Sequence, residues 1–169
     1  MDNQFAPDVN ERSAIYSPDG KHRYLLVRRW KKRGAMCQFI GLNPSTATAE
    51  EDDNTVTRCI RFAQAWAYAG LYMTNAYAWR STDPKALLTV GDPVGPDNIA
   101  TLRTTARRAS IVVAAWGTHC TDEHEQHVLK HLTPISALVC LGTTARGKPK
   151  HPLYLPRTAT TEPFPPVAT

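Results

Sequence analysis

Four short apolar segments alternate with stretches that have the apolar spacing of helices, and this alternation restricts the fold more than any other feature. The segments are 36–42, 71–77, 111–116 and 137–141. Strands that alternate with helices form parallel βαβ units, because a crossover helix returns the chain to the same end of the sheet. We therefore predict an α/β fold, a three-layer α/β/α sandwich with a short central parallel sheet.

Three helices are predicted between these strands. The first begins at a cap on Asp53 or Asn54 and ends at Gly70, and the second begins after Asp97. The third covers about 121–132 and has acidic residues in its first turn, where the helix dipole favours negative charge. An N-terminal β-hairpin is predicted before the first strand, because Ser17-Pro18-Asp19-Gly20 is a typical turn sequence.

The chain has the length and apolar content of one globular domain, with 169 residues of which 42% are hydrophobic. We predict a disordered lead-in at 1–11, a single α/β domain at 12–155 and a Pro-rich extended tail at 156–169. Neither a signal peptide nor a membrane-spanning segment is evident in the sequence, so we expect a soluble, cytoplasmic protein without a membrane partner. A monomer is favoured, although the sequence does not determine the oligomeric state. The four cysteines are widely spaced, so we expect reduced core thiols.

Polar turns follow the predicted strands at the sheet edge where α/β proteins bind ligands. The turn Gly41-Leu42-Asn43-Pro44-Ser45 holds an amide rigidly, because Pro44 restricts the backbone of both itself and Asn43. Asn75, Gly117 and the loop 142–151 follow the other strands. The sequence therefore predicts a crevice where these turns meet.

Several of these polar residues allow two interpretations. Asn75 can read the edge of a nucleobase or can cap the following loop. His151 can donate a hydrogen bond to a developing anion, with the apolar loop after it acting as a wedge, or it can lie on the surface with Leu153 and Leu155 in the core. Arg80 can contact a phosphate or form a structural ion pair.

Basic residues crowd into the hairpin region, with Tyr24 and Trp30 among them. Such a cluster suits a phosphate backbone and stacked bases, although a solvated basic hairpin is the alternative. A row of histidines on the third helix, His124, His127 and His131, could bind a metal. Because Glu123 and Glu125 lie beside them and no further ligand is evident, a solvated face is favoured and no metal is expected.

The order of the motifs resembles the uracil-DNA glycosylase superfamily. The matching segments are 41–45, 71–75 with the Arg80 that follows, 111–117 and His151-Pro152. The whole chain, including 24–30 and 92–98, resembles more closely an uncharacterised bacterial family, domain of unknown function 1643. The first resemblance implies a glycosylase-like sandwich and base flipping, whereas the second implies no activity.

The glycosylase resemblance assigns roles to individual residues. Asn43 would position the attacking water, Asn75 would read the flipped base, and His151 would stabilise the leaving base. Apart from the resemblance, Asp53 could act as an alternative general base near Asn43, although the acidic stretch 50–53 is more often a helix start. Other expected substrate contacts are Pro44, Ser45, Gly117, Leu153 and Tyr154. The expected contacts to the nucleic-acid backbone are Arg28, Arg29, Arg80, Arg146, Lys148 and Lys150.

Three positions depart from the glycosylase pattern. Trp79 replaces the cysteine of members that hold an iron-sulfur cluster, so no cluster and no cofactor is expected. Ser45 and Leu153 replace small residues beside the pocket, which argues against uracil as the substrate. We expect recognition of a nucleobase in nucleic acid, DNA rather than RNA, with hydrolysis of a modified or damaged base. The alternatives are a non-catalytic nucleic-acid-binding module and an enzyme of free nucleosides or nucleotides.

Overall fold

The computed structural model describes residues 11–167, in which two strands precede an alternation of strands and helices and a further strand follows it. The strands are β1 (Glu11–Tyr16), β2 (Arg23–Arg29), β3 (Met36–Gly41), β4 (Gly70–Asn75), β5 (Ile111–Ala114), β6 (Leu138–Cys140) and β7 (Glu162–Phe164). The helices are α1 (Asn54–Ala65), α2 (Asn98–Arg108) and α3 (Asp122–Leu132). None of these helices is long and apolar enough to cross a bilayer.

The strands form one mixed sheet in the order β1-β2-β4-β3-β5-β6-β7. β3 is parallel to β4 and β5, and β5 is parallel to β6. The pairs β1-β2, β2-β4 and β6-β7 are antiparallel. The protein is therefore α/β, but its sheet is mixed and has more strands than the short parallel sheet predicted. Segments near both ends of the chain add the antiparallel strands.

The predicted N-terminal hairpin is confirmed, and it is continuous with the main sheet. Its turn is closed by a hydrogen bond from the Gly20 N–H to the Ser17 carbonyl, with Gly20 in the left-handed region at a φ of 72°. β2 then pairs with β4 over 26–29. The start of β2 therefore lies beside the carboxyl end of β4.

The predicted Pro-rich extended tail at 156–169 contains a short strand, β7, that pairs with the sheet. Pro163 lies opposite Val139 in the pairing of β7 with β6. A proline is tolerated there because β7 is an edge strand, whose outer side needs no ladder donor. Phe164 is buried against Trp116 with 5.6 Å between ring centroids, which anchors the segment. The predicted lead-in lies outside the described residues except Glu11, which begins β1.

The helices begin where the sequence predicts. Asp53 caps α1 by accepting a hydrogen bond from the Val56 N–H at 2.8 Å, and Thr121 caps α3. The predicted end of α1 is wrong, because Gly70 is the first residue of β4. α1 instead ends at Ala65, and the chain turns away from it at Ala67, which has a φ of 65°.

Two apolar clusters hold the helices to the sheet. Phe39 on β3 belongs to the cluster that contains α1, whereas its neighbour Ile40 belongs to the cluster that contains α2 and α3. This alternation follows from the strand period of two residues. All four cysteines are buried in these clusters, as predicted: Cys37, Cys59, Cys120 and Cys140.

Candidate functional site

A cavity of about 530 Å³ opens at the carboxyl ends of the neighbouring strands β4, β3 and β5. The turns that follow parallel strands meet at this edge, which is where α/β sheets commonly bind ligands. The predicted site residues that line the cavity are Asn43, Ser45, Asp53, Asn75, Gly117, Lys150, His151, Leu153 and Tyr154.

The amide of Asn43 is held in one orientation by the backbone around it. Its Nδ2 donates to the carbonyls of Pro44, Trp79 and Ser81 at 3.0, 3.3 and 2.8 Å. Pro44 is buried beneath the turn, and its carbonyl also accepts from the Ser81 N–H. Because no side-chain or backbone donor within 11–167 reaches Oδ1, this oxygen is the acceptor that Asn43 offers to a ligand or water.

Asn75 ends β4 and carries an unsatisfied buried donor. Only 2% of the residue is exposed, and its Nδ2 has no hydrogen-bond partner among the described residues. The alternative prediction is that Asn75 caps the following loop. Asn98 takes that place instead, because its Nδ2 donates to the carbonyls of Asn75 and Ala76. A buried unpaired amide nitrogen is costly, so Asn75 is suited to a ligand acceptor.

Gly41 leaves the space that Asn75 occupies. A Cβ at Gly41 would lie 2.7 Å from Asn75 Oδ1 and 2.9 Å from Met73 Cε. We expect Gly41→Ala to displace the Asn75 amide and to lower the free energy of unfolding by about 1–3 kcal/mol, the usual cost of overpacking. Urea denaturation measures this loss. Gly91→Ala is the control, because nothing lies within 4 Å of a Cβ there, and equal stability of the two variants would contradict the prediction.

The His151 ring presents a neutral N–H donor. Its Nδ1 accepts a hydrogen bond from the Leu153 N–H at 3.2 Å, so in the neutral ring the proton is on Nε2. Burial lowers the pKa of His151, and the charge of Asp53 only partly opposes this effect. At neutral pH His151 can therefore donate a hydrogen bond without carrying a charge.

The loop after His151 is fixed to α1. The Leu155 carbonyl accepts a hydrogen bond from Arg58 Nη2, and Leu155 packs against the apolar cluster of α1. Tyr154 is 85% exposed at the cavity mouth, and Leu153 is half-buried in its lining. Neither leucine is fully buried in the core, because Leu155 is also only partly buried and lines the cavity.

Asp53 lies at the first turn of α1 and offers one free carboxylate oxygen. Oδ1 is occupied by the cap of α1, whereas Oδ2 accepts no hydrogen bond from the described residues. The preceding residue, Asp52, is paired with Arg28 at 2.7 Å. This ion pair holds the 48–52 segment against β2 and so positions Asp53 beside the cavity.

Two predicted phosphate contacts are wrong, because the side chains are buried and paired. Arg28 is fully buried, and it donates hydrogen bonds to Asp52 and to the carbonyls of Val27 and Thr48. Lys148, only 8% exposed, lies 2.7 Å from a carboxylate oxygen of Asp122.

Lys148 also lies 3.3 Å from a carboxylate oxygen of Glu125. Glu125 in turn accepts a hydrogen bond from Trp116 Nε1 at 2.7 Å. This buried network connects the loop 142–151 to Trp116, which precedes the turn at Gly117. The charge of Lys148 is therefore compensated by carboxylates of the protein itself.

The basic residues of the hairpin region are divided between the two opposite ends of the strands, one of which carries the cavity. Arg29 pairs with Gly70 at the start of β4, so it lies at the edge opposite the cavity. Arg80 is exposed near the cavity, where it donates to the Gly20 carbonyl and lies 5.0 Å from the centroid of the Tyr16 ring. No ion pair of Arg80 occurs within 11–167, so the expected structural ion pair is not formed, and the phosphate contact stays a prediction. Arg146 and Lys150 are also exposed.

The histidine row on α3 is not uniformly solvated. His124 is stacked on Tyr77 with 4.2 Å between centroids, and its Nε2 donates to the Ala76 carbonyl at 2.6 Å. The solvated-face interpretation is therefore wrong for His124. No group of three or more His, Cys, Asp or Glu side chains within 11–167 is arranged to hold a metal ion.

The sequence interpretation missed Arg23, Ser81 and Asn98. Arg23 is 2% exposed and lines the cavity, while Ser81 fixes Asn43 and Asn98 supports the turn after Asn75. One signal for Arg23 is its place at the start of an apolar strand. Ser81 and Asn98 act through backbone contacts that no local pattern reveals.

The fold and the cavity define an α/β protein with a polar crevice at the carboxyl ends of its central strands. Residues 23–153 match the family described as protein of unknown function (DUF1643), and the chain belongs to that family. No curated protein and no solved structure matches the chain. The likeness to the uracil-DNA glycosylase superfamily therefore rests on its motifs.

Proposed function

We propose that the protein recognises a nucleobase in nucleic acid and hydrolyses its N-glycosidic bond. The observation that carries this proposal is the buried, unpartnered Asn75 amide in a cavity that also contains Asn43, Asp53 and His151. The parallel strands at the cavity, with helices in two separate apolar clusters, support a glycosylase-type sandwich.

Recognition of the base is assigned to Asn75. The side-chain amide supplies donors and an acceptor, which is the combination needed to pair with the edge of a base. Leaving its Nδ2 unpaired in the free protein favours a ligand that supplies an acceptor there, because binding would relieve an existing desolvation cost.

Departure of the base is assigned to His151. Cleavage of an N-glycosidic bond develops negative charge on the base and positive charge on the sugar. A neutral Nε2–H can strengthen its hydrogen bond as that negative charge develops. The fixed Nδ1 contact to Leu153 preorganises the ring for this role.

Activation of water is assigned to Asn43 and Asp53. The Oδ1 of Asn43 is held by three contacts on the same amide, so it can orient a water molecule without a large loss of side-chain entropy. The free Oδ2 of Asp53 can accept a proton from that water as it attacks the sugar carbon. The carboxylate also favours the developing positive charge of the sugar.

The mouth of the cavity is suited to a nucleotide displaced from a stack. Tyr154 offers an exposed ring on which a neighbouring base can stack. Arg80 and Lys21 line a shallow depression of about 390 Å³ that shares Ser45, Ser81 and Thr82 with the main cavity. Together with Lys150, which is exposed in the lining of the main cavity, these cations are placed to contact a backbone phosphate.

The proposal is tested by release of a base from oligonucleotides. Single- and double-stranded DNA and RNA, each with one deaminated, alkylated or oxidised base, are incubated with the protein, and the released free base is measured by chromatography and mass spectrometry. Release of at least one base is expected. Salt-dependent binding without release would instead indicate a binding module, and binding of free nucleotides alone would indicate a small-molecule enzyme.

The recognition step is tested by Asn75→Asp, which keeps the shape of the side chain and replaces its donors with an acceptor. We expect base release to fall by about 10- to 100-fold, because a ligand acceptor would face a carboxylate oxygen. Asn54→Asp is the matched control, since Asn54 is exposed and lies outside the cavity lining. Equal rates for wild type and Asn75→Asp would remove Asn75 from the recognition role.

A further inference from the structure

Arg23 is a buried cation that has no role in the proposed base-release chemistry. It begins β2, is 2% exposed, and lines the same cavity as Asn75 and His151. A buried guanidinium is normally paired with a carboxylate, because an uncompensated buried charge is costly. Within 11–167, no carboxylate oxygen lies within 4.0 Å of Arg23.

The guanidinium of Arg23 retains unused hydrogen-bond capacity. Nη1 donates to the Ala47 carbonyl at 2.7 Å, which anchors the group beneath the loop before α1. Nε is buried and has no partner among the described residues. A guanidinium with a free Nε offers the forked donor arrangement that fits the oxygens of phosphate groups.

The charges around the cavity also favour an anion. Its lysine and arginine side chains are Arg23 and Lys150, whereas its only carboxylate within the described residues is Asp53. Burial lowers the pKa of Arg23 to about 10, and the nearby charge of Asp53 opposes that effect, so the guanidinium is protonated at neutral pH. An anionic ligand group would supply the close partner that the protein itself does not.

Arg23 and His151 lie toward different ends of the cavity. β2 and β5 are separated by β4 and β3 in the sheet, and Gly117 next to His151 follows β5. Three strand spacings correspond to roughly 14 Å. One ligand could therefore present its base near Asn75 and His151 and a second group near Arg23.

We propose that Arg23 binds a phosphate group of the nucleotide whose base lies at Asn75 and His151. The cavity is thus a site for a nucleoside phosphate rather than for a free base or nucleoside. This inference rests on the proposed function for the position of the base. The phosphate comes either from a free nucleotide or from the nucleic-acid backbone.

Calorimetric titration tests the preference directly. The probes are uridine, inosine and xanthosine, their 5′-monophosphates, and single-stranded oligonucleotides containing the same bases. We expect phosphorylated probes to bind on the order of 10- to 100-fold more tightly than the nucleosides. Arg23→Gln should abolish this preference, whereas Arg29→Gln, at the opposite sheet edge, should retain it. Preference for monophosphates identifies a free nucleotide, and preference for oligonucleotides alone identifies the backbone.

A second measurement on the wild-type protein covers the case in which Arg23→Gln does not fold. The ¹H–¹⁵N signal of Arg23 Nε, assigned by its loss in Arg23→Lys, should shift when a phosphorylated probe is added. Three results would overturn the proposal. The Nε signal could stay unmoved although a phosphorylated probe binds, nucleosides and phosphorylated probes could bind with equal affinity, or no phosphorylated probe could bind. Phosphate binding without base release would reject the hydrolase alone, and base release unaffected by Arg23→Gln would reject the phosphate site alone.

Discussion

Replacing Asp53 with asparagine is expected to lower the rate of base release by about 10²- to 10⁴-fold, the usual contribution of a general base. The substitution removes the charge and the proton-accepting oxygen. It keeps an oxygen that can accept the Val56 N–H, and asparagine is as good a helix cap as aspartate. Single-turnover base release at saturating oligonucleotide measures the chemical step apart from binding.

The matched control for Asp53→Asn is Asp97→Asn at the cap position of α2. Asp97 makes no side-chain capping bond and does not line the cavity, so this variant should release base at the wild-type rate. Both variants should unfold within about 0.5 kcal/mol of wild type. Unchanged base release by Asp53→Asn would exclude the carboxylate from water activation and leave the orientation of water to Asn43.

Replacing Arg28 with methionine is expected to lower the free energy of unfolding by about 3–5 kcal/mol, the range found when one partner of a buried ion pair is removed. Methionine fills much of the volume but leaves the carbonyls of Val27 and Thr48 without their Arg28 donor. Asp52 loses its 2.7 Å partner and keeps, among the described residues, only the longer contact to Arg12 at 3.4 Å. Asp52 is 19% exposed, so water can recover part of the loss, and the lower end of the range is expected. Urea denaturation measures the change.

Arg29→Met is the control for Arg28→Met because the two residues are adjacent on β2. Arg29 is half-buried at the opposite edge of the sheet and contacts Met36 Sδ and two carbonyls. Its replacement should cost less than about 1 kcal/mol. Similar losses for the two variants would show that the Arg28 pair with Asp52 does not stabilise the loop before α1.

The central elements of the fold could be predicted because their signals are local. A strand period of two and a helix period of 3.6 are written in short segments, and caps such as Asp53 and Thr121 mark where helices begin. β7 could not be predicted in this way. Its three residues include a proline, and it is held by its pairing with β6 and by the burial of Phe164.

The grouping of Asn43, Asn75 and His151 could also be predicted, because each lies at or after the carboxyl end of a strand and these strand ends share one side of the sheet. The roles of the basic residues could not. β2 is extended over roughly 20 Å, so Arg23 and Arg29 at its two ends lie at opposite edges of the sheet. Basic residues that are close together in the sequence therefore do not form one charged surface in the folded protein.

The sequence by itself determined the alternation of strands and helices and the polar turns that follow the strands, since both depend on neighbouring residues. Only the tertiary structure decided which cations are available to a ligand. Arg28 is neutralised by Asp52, and Lys148 is neutralised by Asp122 and Glu125, all from other parts of the chain. Arg23 has no such close partner. Burial and charge pairing arise from segments that meet only when the chain folds, so no local pattern encodes them.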